Sequence, residues 1–277
     1  GITQPALSRR LQALEQHVGA ELLARGRRGA TLTEIGRLVQ AEAQIIVTRY
    51  DRMLELVSSQ QRLEGGSVRI GGGATAVSFI LPEAIAAFRI DHPQVRFQMR
   101  EAGSAEIADD VAAGQLELGV VTLPVRDREL RVTPLATDHI VLVARHDHPL
   151  AQQRQVRIQD LAEQTFVVFE AGSALRQIID GKLRDAGVGI NVVMELRSIP
   201  AILRMVSTTG NLAFVSQLGI SPQRDVVEVP VRGLKIERKL AIISRQGTPL
   251  SPAAQVFVQR LHGLQKDTLQ PHKNSKR

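Results

Sequence analysis

Apolar residues recur at helical spacing near the start of the chain and predict a short helix over residues 3–15. Leu7, Leu11 and Leu14 form one apolar stripe. Thr3 is a suitable N-cap, and Pro5 in the first turn lacks the N–H that would have no partner there. The opposite face carries Gln4, Ser8, Arg9, Arg10 and Gln12. We therefore expect a helix with one side buried and the other side available to a polar partner.

The residues after this helix predict a short helix and then a tight β-hairpin. Gly19 ends the first helix, and AELLAR, residues 20–25, favours a further helical turn. In RGRRGATLT, residues 25–33, two glycines and alternating Thr and Leu predict a hairpin with Arg27 and Arg28 at its tip. This order is typical of the second half of a winged helix-turn-helix, which lays one helix in the major groove and lets the hairpin touch phosphates.

A longer helix is predicted from the Thr33 cap to about residue 64. Its apolar positions are separated by alternating steps of four and three residues, the heptad pattern of a helix that pairs with a second copy of itself. These positions are Val39, Ala43, Ile46, Tyr50, Met53 and Val57. Packing against its own chain is the alternative. Gly65 and Gly66 are predicted to end the helix in a flexible joint.

From Ser67 onward, strand and helix patterns alternate. The first series is β-α-β-α-β and predicts a parallel sheet. A strand over 138–151 leads to a similar series over 165–216, and late strands near 226–229 and 235–243 precede a helix over 252–264. The predicted fold class is an α/β domain of two Rossmann-like lobes with a central cleft, preceded by a linker helix and a partial winged helix-turn-helix.

These patterns predict four segments. They are the partial helix-turn-helix over 1–33, the linker helix over 34–66, the two-lobed domain over 67–267 and a disordered basic tail over 268–277. The first lobe is expected to comprise 67–143 and 245–267, and the second 144–244.

Charge and composition narrow the class of protein. The net charge is +7, and the first 28 residues hold five arginines against two glutamates. The five arginines are Arg9, Arg10, Arg25, Arg27 and Arg28. Such a patch favours a polyanionic partner. The absence of Cys excludes disulfides and thiolate metal sites, and no apolar run approaches the ~20 residues that span a bilayer. We expect a cytoplasmic protein without a membrane partner.

Small hydroxyl side chains occur at the predicted strand-to-helix turns. Open α/β sheets bind ligands at the carboxyl ends of their strands. The candidates are Thr75, Ser104 and Thr122 in the first lobe, and Ser173 and Ser198 in the second. Hydroxyls together with helix N-terminal amides suit a small anion. Three of them, Ser104, Ser173 and Ser198, could equally be helix caps.

Two other kinds of chemistry compete for this domain. Gly71, Gly73 and Ala76 satisfy G-x-G-x-x-A after a strand and before a helix, with Glu101 as a possible ribose partner, which is the dinucleotide-binding pattern. A metal site at His146, Asp147 and His148 is less favoured than a solvated loop closed by Pro149. The sequence has no G-x-S-x-G, and Ser173 has no plausible base nearby. We expect no enzyme, no cofactor and no metal.

The stretch TQPALSRRLQALEQHVGAELLARGRRGATLTEIG, residues 3–36, resembles the N-terminal signature of the LysR-type transcriptional regulators. Many spaced positions agree, and the remaining chain matches the family in layout, with a linker helix and an effector domain similar to periplasmic binding proteins. The family's segments before this stretch are missing, which suggests a truncated start.

The resemblance implies a sequence-specific regulator controlled by a small effector, often a carboxylate in this family. The implied DNA-contacting residues are Thr3, Gln4, Pro5, Ser8, Arg9, Arg10, Arg27 and Arg28. Gln4, Ser8 and Arg9 are assigned to base edges, whereas Arg10, Arg27 and Arg28 are assigned to phosphates. The implied partners are double-stranded DNA, the effector, further copies of the chain in a dimer or tetramer, and RNA polymerase.

The sequence also departs from the family pattern. Glu117 stands where Asp is usual, Thr209-Gly210-Asn211 where Gly-x-Gly is usual, and Ser216 where Pro is common. These positions are expected near the cleft. A small-ligand receptor or a dinucleotide enzyme on the same scaffold is the alternative function, and the first 33 residues argue against it.

Overall fold

The computed structural model describes residues 3–26, 29–59, 66–220 and 225–268. It divides into two units, Gly1–Glu55 and Leu56–Arg277, so that the division falls within the long helix. The first unit contains helix α1 (Gln4–Val18), the antiparallel strands β1 (Leu23–Gly26) and β2 (Gly29–Leu32), and most of helix α2 (Glu34–Ser59).

Helix α1 begins after the predicted Thr3 cap and runs three residues beyond the predicted end at residue 15, to Val18. Thr3 occupies the N-cap in an extended conformation, although its side chain makes no capping hydrogen bond. Gly19 ends the helix with φ of 75°, a left-handed conformation that favours glycine, and its N–H donates to the carbonyl of Glu15 at 2.9 Å.

The predicted short helix over 20–25 is wrong. Leu23 already belongs to the hairpin, where it pairs with Leu32. The carboxylate of Glu15 accepts the N–H groups of Leu22 at 2.8 Å and of Leu23 at 3.1 Å. Because a side chain from α1 takes both amides, the segment has partners for its backbone without forming a helical turn. The predicted hairpin is confirmed, but its tip, Arg27 and Arg28, lies outside the described residues.

Helix α2 has the predicted cap. The Thr33 hydroxyl accepts the N–H of Gly36 at 2.9 Å and donates to the carbonyl of Glu21 at 2.8 Å. The described helix ends at Ser59, and the predicted final turn over 60–64 and Gly65 lie outside the described residues. Gly66 does not form a joint, because it begins the next strand and pairs with Val95.

The second unit alternates strands and helices. Its strands are β3 (Gly66–Gly72), β4 (Val95–Glu101), β5 (Leu118–Thr122), β6 (Leu130–Arg145), β7 (Val156–Arg157), β8 (Thr165–Phe169), β9 (Asn191–Leu196), β10 (Ala213–Ser216), β11 (Val226–Val229), β12 (Val231–Arg232) and β13 (Ile236–Arg245). Its helices are α3 (Leu81–Asp91), α4 (Ser104–Ala113), α5 (Ala174–Asp185), α6 (Ile199–Thr209) and α7 (Pro252–Thr268). A π-helix over Ala76–Ile80 leads into α3, and a 3-10 turn over Gln217–Gly219 follows β10.

The sheet topology repeats in the two lobes. In the first lobe, β3 is parallel to β4 and β5, and the order is β4-β3-β5-β13-β6 with β13 antiparallel to both neighbours. In the second lobe, β8 is parallel to β9 and reaches β10 through a parallel bridge from Phe166 to Leu212. Strands β10 and β11 both pair antiparallel with β6. The predicted parallel units and two similar halves are therefore present.

Strands β6 and β13 run through both lobes. Strand β6 begins at Leu130, earlier than predicted, and ends at Arg145, where the His148 N–H donates to the Arg145 carbonyl at 2.9 Å and closes a turn. The core of the second lobe already includes Ile140 on β6 and still includes Ile236 on β13. The first-lobe core contains Ala136 and Ile242. The lobes therefore meet near 137–139 and 237–241, and the predicted boundaries at 143/144 and 244/245 lie too late on both strands.

Within the described residues, no helix is both long and apolar enough to span a membrane. Of the predicted basic tail over 268–277, residue Thr268 still belongs to α7, and residues 269–277 lie outside the described part of the chain.

Candidate functional site

A cavity of about 610 Å³ lies between the two lobes. The five predicted hydroxyl residues all line it, and each stands at or just after the carboxyl end of a strand. They are Thr75 after β3, Ser104 after β4, Thr122 at the end of β5, Ser173 after β8 and Ser198 after β9. The fold thus gathers them as the topology requires. Their contact with a ligand stays a prediction.

An arginine that the sequence analysis missed also lines this cavity. Arg238 on β13 has a side chain that is only 7% exposed. Its Nη1 donates to the Thr122 hydroxyl at 3.1 Å, and its Nη2 donates to the Thr75 hydroxyl. A buried guanidinium requires a counter-charge, and Arg238 has one in Asp138 on β6. The Asp138 carboxylate accepts the Nε–H and Nη2–H groups, each at 2.7 Å.

Strand register brings these groups together. Arg238 and Asp138 are directly opposite one another across β13 and β6. Ile140 lies two residues after Asp138 on the same face of β6 and pairs with Ser216 of β10. The Ser216 hydroxyl donates to the Asp138 carboxylate at 2.7 Å. An inward-facing acid and base on two predicted strands would have been a usable sequence signal, because neighbouring inward positions such as Ile140 and Ile236 are apolar.

Three hydroxyl groups in the cavity keep a proton to donate. Thr75 and Thr122 accept from Arg238, and Ser104 accepts the Thr122 N–H at 3.0 Å. Each hydroxyl has one proton as well as its lone pairs. Among the described residues, no hydrogen bond uses the Oγ–H of Thr75, Thr122 or Ser104. The first-lobe wall therefore offers donors to whatever occupies the cavity.

The second-lobe hydroxyls differ from one another. Ser173 caps α5, because it accepts the Arg176 N–H at 3.3 Å and donates to the Glu170 carbonyl at 3.1 Å. Its proton is therefore already used. Ser198 occupies the N-cap of α6 without a side-chain capping bond. Side-chain capping is thus confirmed for Ser173, and Ser198 holds the cap position without the capping bond. Capping is wrong for Ser104, since the N-cap of α4 is Gly103.

The glycine run before Thr75 serves packing more than ligand approach. A Cβ on Gly71 would lie 2.5 Å from Leu116 Cδ1, and a Cβ on Gly72 would lie 2.9 Å from Ala76 Cβ. Only Gly73, where a Cβ would meet nothing within 4 Å, is open and lines the cavity. Of the two glycines in the pattern that resembles a dinucleotide motif, Gly71 is therefore explained by close packing, since a Cβ there would also lie 2.6 Å from Ile107 Cδ1 of α4.

Two of the family departures are not at the cavity. Glu117 precedes β5, at the opposite end from Thr122, and its carboxylate accepts the Ser251 N–H at 2.6 Å before α7. Asn211 precedes β10 and accepts the Thr165 hydroxyl at 2.5 Å. The expectation that these positions lie near the cleft is wrong, because they stand at the amino ends of their strands. Ser216 lies at the carboxyl end and reaches the Arg238 network.

The rim of the cavity carries charges of both signs. Arg197 lines it and donates to Glu170 at 2.6 Å. Glu106 also lines it and pairs with Arg100 at 3.6 Å. Glu101 is a further rim carboxylate. The paired guanidinium groups offset part of the negative charge at the mouth.

Helix α1 presents the predicted DNA-facing side chains to solvent. Thr3, Gln4, Pro5, Ser8, Arg9 and Arg10 are all exposed. The predicted apolar stripe is not buried, since α1 has no buried residue and Leu7 is 49% exposed. In the described part of the first unit, the buried large apolar side chain is that of Leu22, which lies after α1.

Helix α2 exposes most of its predicted heptad positions. Ile46, Tyr50 and Met53 are 66%, 57% and 50% exposed, Ala43 is exposed, and Val39 is half-buried. The side chain of Val57 lies outside the described residues. Within the first unit, packing therefore does not bury the seam at Ile46, Tyr50 and Met53.

The His146–His148 loop shows no metal-binding arrangement. No group of three His, Asp or Glu side chains within the described ranges is placed to hold a metal ion. Asp147 pairs with Arg145 at 2.5 Å, which lowers the pKa of Asp147. The His148 Nδ1 accepts the Leu150 N–H at 3.2 Å, and burial lowers the pKa of His148.

An exposed polar helix with a hairpin, joined to a two-lobed domain with a cleft, defines a ligand-responsive DNA-binding regulator. Residues 61–265 match the family described as LysR substrate binding domain, and residues 1–37 match Bacterial regulatory helix-turn-helix protein, lysR family. The chain belongs to the LysR family of transcriptional regulators.

A relative in sequence agrees with this assignment, and two solved structures share the fold. The probable RuBisCO transcriptional regulator of Cyanidioschyzon merolae is 31% identical over 269 residues, covering 94% of this chain and 89% of that protein. Full-length CbnR complexed with its target DNA has a TM-score of 0.75 at 20% identity, over 94% of this chain and 90% of that one. The Synechocystis PCC6803 CcmR regulatory domain in complex with 2-PG has a TM-score of 0.66 at 22% identity, over 73% of this chain and 98% of that one. The two structures share the fold.

Proposed function

We propose that the chain regulates transcription by coupling DNA binding through α1 to a small anion bound between the lobes. The observation that carries the effector part is the donor array at the cavity. Thr75, Thr122 and Ser104 each have a proton to donate, and the guanidinium of Arg238, which is paired with Asp138, polarises the first two by donating to their oxygens. Charge-assisted hydrogen bonds from such donors favour a carboxylate or phosphate over a neutral ligand.

Helix termini add to this preference. The amino ends of α4, α5 and α6 border the cavity at Ser104, Ala174 and Ser198. Free backbone amides and the positive end of the helix dipole stabilise an anion there. The rim carboxylates Glu101 and Glu170 favour a ligand whose other end donates hydrogen bonds, such as a hydroxy acid.

For DNA, we propose that α1 enters the major groove. Ser8 and Arg9 lie on its exposed face and are suited to base edges, whereas Arg10 is assigned to phosphate. Arg27 and Arg28, outside the described residues, remain the proposed phosphate contacts of the hairpin. CbnR is the structural relative whose complex with DNA supports this proposal.

The finer expectations are also proposals. We propose a twofold dimer through α2, further assembly into a tetramer, a cytoplasmic location where the chromosome is accessible, and RNA polymerase as a partner at the promoter. A regulatory role is proposed in place of an enzymatic or transport role, because a ligand receptor has no use for the helix-turn-helix match over 1–37.

The test is a titration of the full chain with small carboxylates and phosphate esters, followed by calorimetry and by affinity for a cognate promoter fragment. Binding of an anion that changes the affinity for DNA is expected. Tight binding of a dinucleotide with no change in DNA affinity would support the alternative function.

A further inference from the structure

We propose that Arg238 is a positioning residue that ties the effector cavity to the arrangement of the two lobes. The inference rests on the proposed function of the cavity. Arg238 holds two first-lobe hydroxyls, those of Thr75 and Thr122. Through Asp138 it also holds Ser216, which belongs to the strand β10 of the second lobe. A single chain of hydrogen bonds thus runs from the cavity wall of one lobe to the sheet of the other.

These hydrogen bonds lie at the point where the strands pass from one lobe to the other. Asp138 and Arg238 lie on β6 and β13, the two strands that cross between the lobes. They fall between the two buried cores, one of which ends at Ala136 while the other begins at Ile140. A change in lobe angle must therefore be absorbed at the residues that carry the ion pair.

An apolar contact supports the polar one. Phe79 lies in the π-helix that follows Thr75, yet it packs on the core of the second lobe. A Cβ on Gly219 would lie 3.1 Å from Phe79 Cζ, so the ring fits against the glycine with little room. The turn that carries Thr75 is thus attached to the second lobe at two points. Thr75 is linked to it through Arg238, Asp138 and Ser216, and Phe79 packs on its core. π-Helical turns are frequent at functional sites.

The physical consequence is a coupling between ligand and lobe arrangement. An anion that accepts from Thr75 and Thr122 lies beside the guanidinium that also holds Asp138, so it competes with Asp138 for the positive charge. When the anion is bound, the favoured lobe arrangement is the one in which the Arg238 guanidinium stabilises both the anion and the Asp138 carboxylate. A ligand shifts an equilibrium only by its differential affinity for the two states, and this network provides the difference.

The test measures the distance between the lobes directly. The chain has no Cys, so Ala86→Cys on α3 and Lys182→Cys on α5, both exposed, give two unique spin-label sites in the full chain. Ser216→Ala removes the second-lobe end of the hydrogen-bond chain without touching a cavity-lining residue. Ser244→Ala is the matched control, because it removes another buried serine hydroxyl within the first lobe.

In the ligand-free protein, Ser216→Ala and Gly219→Ala are expected to broaden or shift the interlobe distance distribution, and Ser244→Ala to leave it unchanged. With sulfate as the anion probe, Ser216→Ala should bind with an affinity within about twofold of the parent but lose the sulfate-dependent shift. Distributions identical to the parent in both folded variants would overturn the inference. Absence of anion binding to the parent chain would instead overturn the proposed function, while the ligand-free comparison still decides the inference.

Discussion

The carbonyl oxygen of Leu22 lies only 2.0 Å from the place that a Cβ on Gly36 would occupy. Leu22 precedes the hairpin, and Gly36 lies in the first turn of α2 beside the Thr33 cap. Because the obstacle is backbone and not a flexible side chain, no rotamer change can relieve the overlap. This glycine therefore fixes how closely the hairpin approaches the start of α2.

Gly36→Ala should destabilise the N-terminal unit, by about 1–3 kcal/mol as for other overpacked positions. Thermal unfolding followed by circular dichroism measures this. Gly181→Ala in α5 is the control, since a Cβ there meets nothing within 4 Å and alanine favours a helix by roughly 0.5–1 kcal/mol. Equal stability of the two variants would contradict the steric argument.

DNA binding should separate into base-reading and phosphate-reading residues. Replacing Ser8 or Arg9 by Ala should change base preference, at about 1–3 kcal/mol per lost base contact. Replacing Arg27 or Arg28 should weaken binding to all DNA sequences alike. The slope of the logarithm of the binding constant against the logarithm of salt concentration should become shallower by roughly 0.9 for each lost phosphate contact. Fluorescence anisotropy across a salt series with a cognate and a scrambled duplex measures both. A uniform loss in both sets would contradict the division of roles.

Self-association should depend on the exposed seam of α2. Val39, Ile46, Met53 and Val57 each contribute on the order of 1.5–3 kcal/mol when fully buried. The double variant Ile46→Asp, Met53→Asp should sediment as a smaller particle than the parent, because two charges would enter the interface. Gln44→Asp on the same helix is an exposed control and should sediment like the parent. An unchanged assembly in the double variant would remove α2 from the interface.

Thr75 should matter for stability as well as for the effector. Thr75→Val removes the acceptor of the Arg238 Nη2–H and leaves a buried donor without its partner, which typically costs about 1–3 kcal/mol. The response of DNA affinity to an anion should fall in the same variant. Thr75→Ser keeps the hydroxyl and should retain most of both properties. Loss of stability with an unchanged anion response would confine Thr75 to a structural role.

The second lobe should lose stability in mild acid because of His148. Burial lowers the pKa of His148 in the folded state, so the unfolded chain binds its proton first as pH falls. The stability that this neutral imidazole provides is present above the unfolded pKa of about 6.5 and is lost as pH decreases from there toward the folded pKa. His148→Asn can still accept the Leu150 N–H, so the variant should flatten this part of the stability profile. Urea denaturation between pH 7.5 and pH 5 measures the free energy of unfolding of both proteins. If it falls equally with pH in the parent and in the variant, His148 is not the source of the acid sensitivity.

Local patterns were sufficient for most elements and for the cavity wall. The hydroxyl residues Thr75, Ser104 and Thr122 were predictable because they follow readable strands, and parallel strands end at one edge of a sheet. The short helix over 20–25 was predicted wrongly because Glu15 supplies its carboxylate to Leu22 and Leu23, a tertiary contact that local propensity does not contain.

The Arg238–Asp138 pair was missed for a different reason. The two residues are 100 positions apart in sequence, and only the register of β6 against β13 places them opposite one another. A charged residue within a strand is usually read as solvent-facing, and here the alternation with buried Ile236 and Ile140 outweighs that reading. The lobe boundaries were misplaced because a continuous strand gives no local sign of where one core ends and the next begins.

The crossing of β6 and β13 also sets the order in which the protein can fold during synthesis. The second lobe is one uninterrupted stretch whose core is complete once Ile236 has been made. The first lobe begins earlier but still lacks Ile242 of β13 and Phe257 of α7, both of which belong to its core. On the ribosome, the lobe whose synthesis starts first is therefore the last to be completed, and its apolar surface needs protection until the end of the chain emerges.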